Sequence, residues 1–195
     1  MGPDNIRFGG GANATVLHPL VAVAMVLAVI LILCLPRKHV IIPALFALFL
    51  IPKGQQLVFA AIHLNVYRII ILAGLARWII SRRSSPLAGG FNFLDRLCTA
   101  LFLFYFATNL FLYNFQTQAL VKSTGDLLDA LGAYIVIRFL IRDREDVVRT
   151  IKTFAGIAII NAACMLNEQR TGANIFGILG GVAPETVRDG KIRSQ

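Results

Sequence analysis

Three arginines carry most of the chemistry that this sequence offers. Arg68 stands in "AIHLNVYRIIILAGLAR", near the middle of an apolar run, while Arg188 and Arg193 stand in "VRDGKIRSQ", on either side of a turn-prone Asp189-Gly190. A guanidinium presents paired N–H donors in a planar fork that matches phosphate or carboxylate oxygens. With Lys191 between them, Arg188 and Arg193 have the chemistry to hold phosphate oxygens; an exposed basic tail is the plain alternative. Arg68 poses a different problem. An arginine at the centre of a spanning helix costs roughly 2.5–3.5 kcal/mol on insertion scales, so its charge needs compensation. Two readings stand open: contact with an anionic headgroup or a buried acid, or a side chain that snorkels or bonds to nearby carbonyls. Helical spacing sets Leu64 and Asn65 on the face of Arg68 and His63 one turn before Tyr67, with His63 read as a packing residue.

Other polar positions offer less. Asp126 and Asp129 open the fifth apolar run, where carboxylates meet a helix N-terminus favourably, so capping is preferred to catalysis. "RDREDVVR", Arg142 to Arg149, reads as a solvated mixed-charge loop, and Asn13-Ala14-Thr15 is a weak match to a glycosylation acceptor. No nucleophile and base pair, phosphate-binding glycine loop or metal-ligand spacing is found, so the catalytic residues are unknown and neither a cofactor nor a metal is called for. Cys34, Cys98 and Cys164 fall singly in or beside apolar runs, as small core hydrophobes do.

The elements that must position these residues are set by composition. The chain has 195 residues, of which 57% are hydrophobic and 15% charged, with a mean hydropathy of +0.72. That balance predicts an integral membrane protein. Six apolar runs follow: Val16–Leu35, Val40–Ile51 with Pro43 inside it, Leu57–Ile80, Phe93–Leu120, Leu127–Ile141 and Val147–Leu166. The first is read as a retained helix, because the segment before it is loose and nearly uncharged. Aromatics in the fourth run, from Phe102 to Phe115, recur around the whole helix and suit lipid contact and helix packing. The expectation is an all-α polytopic transmembrane bundle of about six spanning helices. Its parts are an external N-terminal segment (1–15), a bundle (16–166) and an external tail (167–195).

Charge gives an independent handle on sidedness. Alternate connections place Arg37, Lys38, Arg77, Arg82, Arg83, Arg96, Arg142, Arg144, Arg149 and Lys152 on one side, and Arg7, Lys53, Lys122 and Arg170 on the other. Ten cations against four predict that the first side is cytoplasmic and that both termini are periplasmic. The net charge of +9 is thereby explained by orientation, and no basic stripe with interleaved aromatics points to nucleic acid.

Three phrases, "IPKGQQLVFAAIHLNVYRIIILAGLARWI", "GDLLDALGAYIVIRFLIRDREDVVRTIK" and "GGVAPETVRDGKIRSQ", together resemble the N-terminal half of bacterial O-antigen ligase or polymerase-like membrane proteins, from about Pro36 onward. The resemblance implies a multi-pass protein of the bacterial inner membrane that transfers or polymerises glycans carried on undecaprenyl pyrophosphate at the periplasmic face, without an obligatory metal. It implies that Arg188 and Arg193 lead into the principal external loop and contact the lipid pyrophosphate, and that Arg68 matches an arginine of an early helix. The resemblance implies that the rest of that loop and the later helices lie beyond this half. The expectation is therefore an N-terminal membrane portion, inactive alone, completed by further sequence or by a second membrane chain. The alternative is a non-enzymatic multi-pass subunit or transporter component. Transport is the weaker choice, since broken helices with paired midplane charges do not occur in two matching halves.

Overall fold

The computed structural model describes residues 17–52, 55–59, 62–81, 87, 89–172, 175, 179, 186–188 and 191–193. These are mostly helical: α1 (Pro19–Cys34), α2 (Arg37–Leu50), α3 (Val66–Ile80), α4 (Phe93–Leu112), α5 (Thr117–Leu127), a π turn (Leu128–Gly132), α6 (Ala133–Leu140) and α7 (Arg144–Thr171). Two small antiparallel hairpins complete them, β1 (Gln56–Phe59) with β2 (Ile62–Asn65), and β3 (Thr186–Arg188) with β4 (Lys191–Arg193). Asn13-Ala14-Thr15, Arg7, Lys53, Arg82 and Arg83 lie outside the described residues.

The core is a seam of apolar faces. In α1 the buried residues are Val21, Met25, Ala28 and Ile32, a spacing of four, three and four that keeps one stripe inward. They meet Val40, Ile41, Ala44 and Leu45 of α2, Ile70 and Ala73 of α3, and Val136, Phe139 and Leu140 of α6. Glycine lets α3 and the α5–α6 rod approach closely. A Cβ at Gly74 would lie 2.7 Å from Val136, and one at Gly132 would lie 2.8 Å from Ile71.

Polar contacts at the helix ends fix the direction of each rod. At one end, Gln55 is fully buried. Its Oε1 accepts from His18 N at 2.9 Å, its Nε2 donates to Leu179 O at 2.7 Å, and its carbonyl accepts from Val66 N at 3.2 Å. The starts of α1 and α3 and the tail thus meet there. At the opposite end, Arg77 donates to Leu33 O at 3.0 Å and Leu35 O at 2.7 Å, covering carbonyls that the last turn of α1 leaves without helical partners. Arg37 at the start of α2 reaches Asp146 at the start of α7, and Asp95 at the start of α4 meets Arg138 near the end of α6. The rods therefore alternate in direction, with Arg37, Lys38, Arg77, Arg96, Arg142, Arg144, Arg149 and Lys152 gathered at one end.

The breaks differ from the run boundaries. By length and composition two of the described helices are able to cross a membrane, Phe93–Leu112 and Arg144–Thr171; Pro19–Cys34 is apolar but shorter. At 1.5 Å per residue, α2 and α3 reach only about 20 Å of a hydrocarbon core roughly 30 Å thick. The run Leu57–Ile80 is not one helix: the β1–β2 hairpin occupies its first part, in the register Leu57↔Leu64 and Val58↔His63. Arg68 consequently sits in the first turn of α3 rather than at mid-helix, and Leu64 and Asn65 do not share a helical face with it. The run Phe93–Leu120 stops at Leu112, where Asn114 and Phe115 take positive φ of 48° and 55° and turn the chain. Helix resumes at Thr117, which leaves Asp126 and Asp129 far from any helix N-terminus.

Candidate functional site

Arg68 has a defined partner. Its Nε and Nη2 donate to Asp129 Oδ1 and Oδ2 at 2.9 and 3.0 Å, a two-pronged pair between α3 and the π turn. The side chains are 20% and 27% exposed. Tyr67 Oη donates to the Asp129 carbonyl at 3.4 Å. Room for the guanidinium comes from Gly125, one turn before Asp129, where a Cβ would collide with Arg68 Nη2. The π turn inserts a wider turn at this point, and such turns commonly reset which side chains face a neighbouring helix. Here Asp129 faces Arg68 and Gly132 faces Ile71.

Arg188 and Arg193 come together in the β3–β4 hairpin. Thr186 pairs with Arg193, Val187 with Ile192 and Arg188 with Lys191. Cross-strand partners share a face and residues two apart along a strand do too, so positions 186, 188, 191 and 193 fall on one face of the ribbon and 187 and 192 on the other. Three cationic positions thus share a face. The sequence signal for this hairpin is Asp189-Gly190 between two short strands. Leu179, seven residues before β3, is tied to Gln55, whose carbonyl accepts from Val66 at the start of the helix bearing Arg68. The anchor of the tail and the Arg68–Asp129 pair therefore lie towards the same end of the bundle.

Two ion clusters were not anticipated. Asp146, read as part of a solvated loop, is 4% exposed. It binds Arg37 Nη1 at 3.0 Å, Arg149 Nη1 at 2.9 Å and Arg142 N at 3.2 Å. Arg37 also reaches Asp143 at 3.2 Å, and Arg149 donates to Lys38 O at 2.8 Å, so α2 and α7 are joined through their first turns. Asp95, 1% exposed, accepts from Asn92 N at 2.8 Å, from the Tyr134 hydroxyl and from Arg138 Nε at 3.3 Å. With its nitrogen on Gly89 O, the Asn92 carboxamide accepts from Arg138 Nη2 at 3.1 Å. Asn92 and Asp95 form a capping pair at the start of α4, and the cross-helix partners tie it to α6.

Among the described residues no group of three or more His, Cys, Asp or Glu side chains is placed to hold a metal ion. The cysteines are free, with Cys34 exposed and Cys98 and Cys164 half-buried. No protein-family model, characterised protein or solved structure matches the chain.

Proposed function

We propose that this chain is the N-terminal membrane portion of a bacterial lipid-linked glycan ligase or polymerase, lying in the inner membrane with its cationic hairpin towards the periplasm. The observation that carries the membrane part is the surface of α4. Only 6% of its apolar window is buried, and Phe93, Leu94, Phe104, Phe111 and Leu112 are each at least 67% exposed. A contiguous apolar face of this kind in water marks an interaction surface or an aggregation hazard, whereas lipid is its natural solvent. The cation count and the alternation of rods favour six traverses, the shorter ones completed by their flanking segments and by tilt of the bundle.

The glycan part of the reading draws on the resemblance and on the cationic face of the β3–β4 ribbon. An undecaprenyl pyrophosphate presents adjacent phosphate oxygens at the membrane surface, and arginine forks match them two at a time. Arg68 takes a different place in this reading. Its fork is held by Asp129, so a pyrophosphate oxygen would have to displace a carboxylate to reach it. Arg188 and Arg193 are the primary contacts proposed. The exposed apolar faces of α4 and α7 also favour a second reading, a non-enzymatic membrane subunit whose helices pair with another chain.

Sidedness is checked by single-cysteine labelling in a variant lacking Cys34, Cys98 and Cys164. Cysteine at Ser194 should react from the periplasm and cysteine at Ser84 only from the cytoplasm, although both positions lie outside the described residues. Labelling of both from one face sinks the six-traverse count. The ligand is checked in nanodiscs, by titrating undecaprenyl pyrophosphate and measuring retention by native mass spectrometry. Joint Arg188→Lys and Arg193→Lys replacement keeps the charge but loses the fork, and should weaken binding about tenfold, or about 1.4 kcal/mol. Unchanged binding by the double alanine variant returns these residues to a plain basic tail.

A further inference from the structure

A second charged surface lies at the opposite end of the bundle, on the first turns of α7. A shallow, open cleft along the surface of α7 is lined by Arg144, Glu145, Val148, Arg149 and Lys152. Arg144, Val148 and Lys152 are spaced by four along the helix, so they rise along one side of it. Arg149 is held in place by its bonds to Asp146 Oδ1 and Lys38 O. Among the described residues Arg144 and Lys152 have no ion-pair partner, and both are exposed. Arg149 is matched by Asp146, and Arg144 and Lys152 against Glu145 leave the cleft with a net positive charge. Apolar surface runs on directly from it: Val148 is 43% exposed, Ile151 61% and Phe154 38%.

We propose that this cleft holds the headgroup of an anionic phospholipid of the inner leaflet, with its acyl chains along the apolar flank of α7. Charge complementarity selects an anion, and the apolar flank selects an amphiphile over a free ion. Arg149 is already fixed by its partners, so less side-chain freedom is lost when a headgroup binds. Basic pockets on the cytoplasmic side of membrane helices suit anionic headgroups, and cations near such a surface attract them. The proposal needs the chain to sit in a bilayer with this end cytoplasmic, but is independent of the glycan reading.

The test uses the full chain in phosphatidylcholine nanodiscs with graded phosphatidylglycerol, scoring retained phosphatidylglycerol by native mass spectrometry. The joint variant Arg144→Gln and Lys152→Gln should lose at least fivefold in apparent affinity, while Glu145→Gln should gain about two- to threefold. Far-ultraviolet circular dichroism establishes that both variants are folded. Inorganic phosphate at millimolar concentration should not displace the lipid; full displacement would show an ion site without lipid selectivity and overturn the proposal. Equal retention by the wild type and the joint variant would overturn it too. The cysteine labelling described above separates this failure from a failure of the membrane reading.

Discussion

Replacing Asp146 by alanine is expected to destabilise the folded chain more than any other single carboxylate change, by about 3–5 kcal/mol, the range for removing one partner of a buried ion pair. The carboxylate is 4% exposed and faces two guanidiniums, Arg37 and Arg149, as well as the Arg142 amide. Without it, two cations lie beside each other in a poorly solvated joint, and α2 loses its main polar tie to α7. Asp146→Asn retains an acceptor for the amide but not the charge, so its effect should fall between wild type and alanine. The measurement is chemical unfolding in detergent micelles followed by tryptophan fluorescence, for which Trp78 is the sole reporter. A double-mutant cycle with Arg37→Ala should give a coupling of about 1.5–3 kcal/mol. Coupling below 0.5 kcal/mol, the scatter of independent sites, would mean that the pair is a surface contact.

The extent to which this joint could be foreseen illustrates how apolar periodicity and pairing differ as signals. Runs of apolar residues gave α1 and α7 nearly at their observed positions, because each is a single uninterrupted stretch between polar flanks. The run Leu57–Ile80 misled because aliphatic and aromatic residues serve a strand as well as a helix: "QLVF" and "IHLN" pair as a hairpin and α3 begins only at Val66. The fourth run misled for another reason. Asn114 and Gln116–Gln118 interrupt the apolar run, and the helix breaks where Asn114 and Phe115 adopt positive φ.

The candidate site was legible in its members more than in its connections. Arg68 stood out by the cost of its charge, and Arg188 and Arg193 by their type and by the hairpin turn between them. The partner of Arg68 lies 61 residues away and that of Arg37 lies 109 away. Helical spacing cannot predict which acid a distant helix brings. Asp129 was assigned to a helix start because the break before it was placed near residue 127 rather than at 113–116. Once α5 is recognised to begin at Thr117, Gly125, Asp129 and Gly132 become one small-and-acidic edge facing α3.

That edge supports the second large effect. Arg68→Leu removes a partly buried cation but strands Asp129, and Asp129→Leu strands Arg68. Each single change should destabilise the chain by about 1.5–3 kcal/mol, the lower range reflecting side chains that are 20% and 27% exposed. The double leucine variant should recover most of the loss, since replacing both partners of a low-dielectric pair by apolar groups leaves no charge behind. Recovery separates pairing from ligand contact, because the recovered protein can then be titrated with undecaprenyl pyrophosphate in nanodiscs. Binding at wild-type affinity is the expected result, as Asp129 already occupies the fork of Arg68. A tenfold loss in a variant that is otherwise as stable as wild type would mean that the lipid pyrophosphate displaces Asp129 on binding, and Arg68 would join Arg188 and Arg193 as a direct contact.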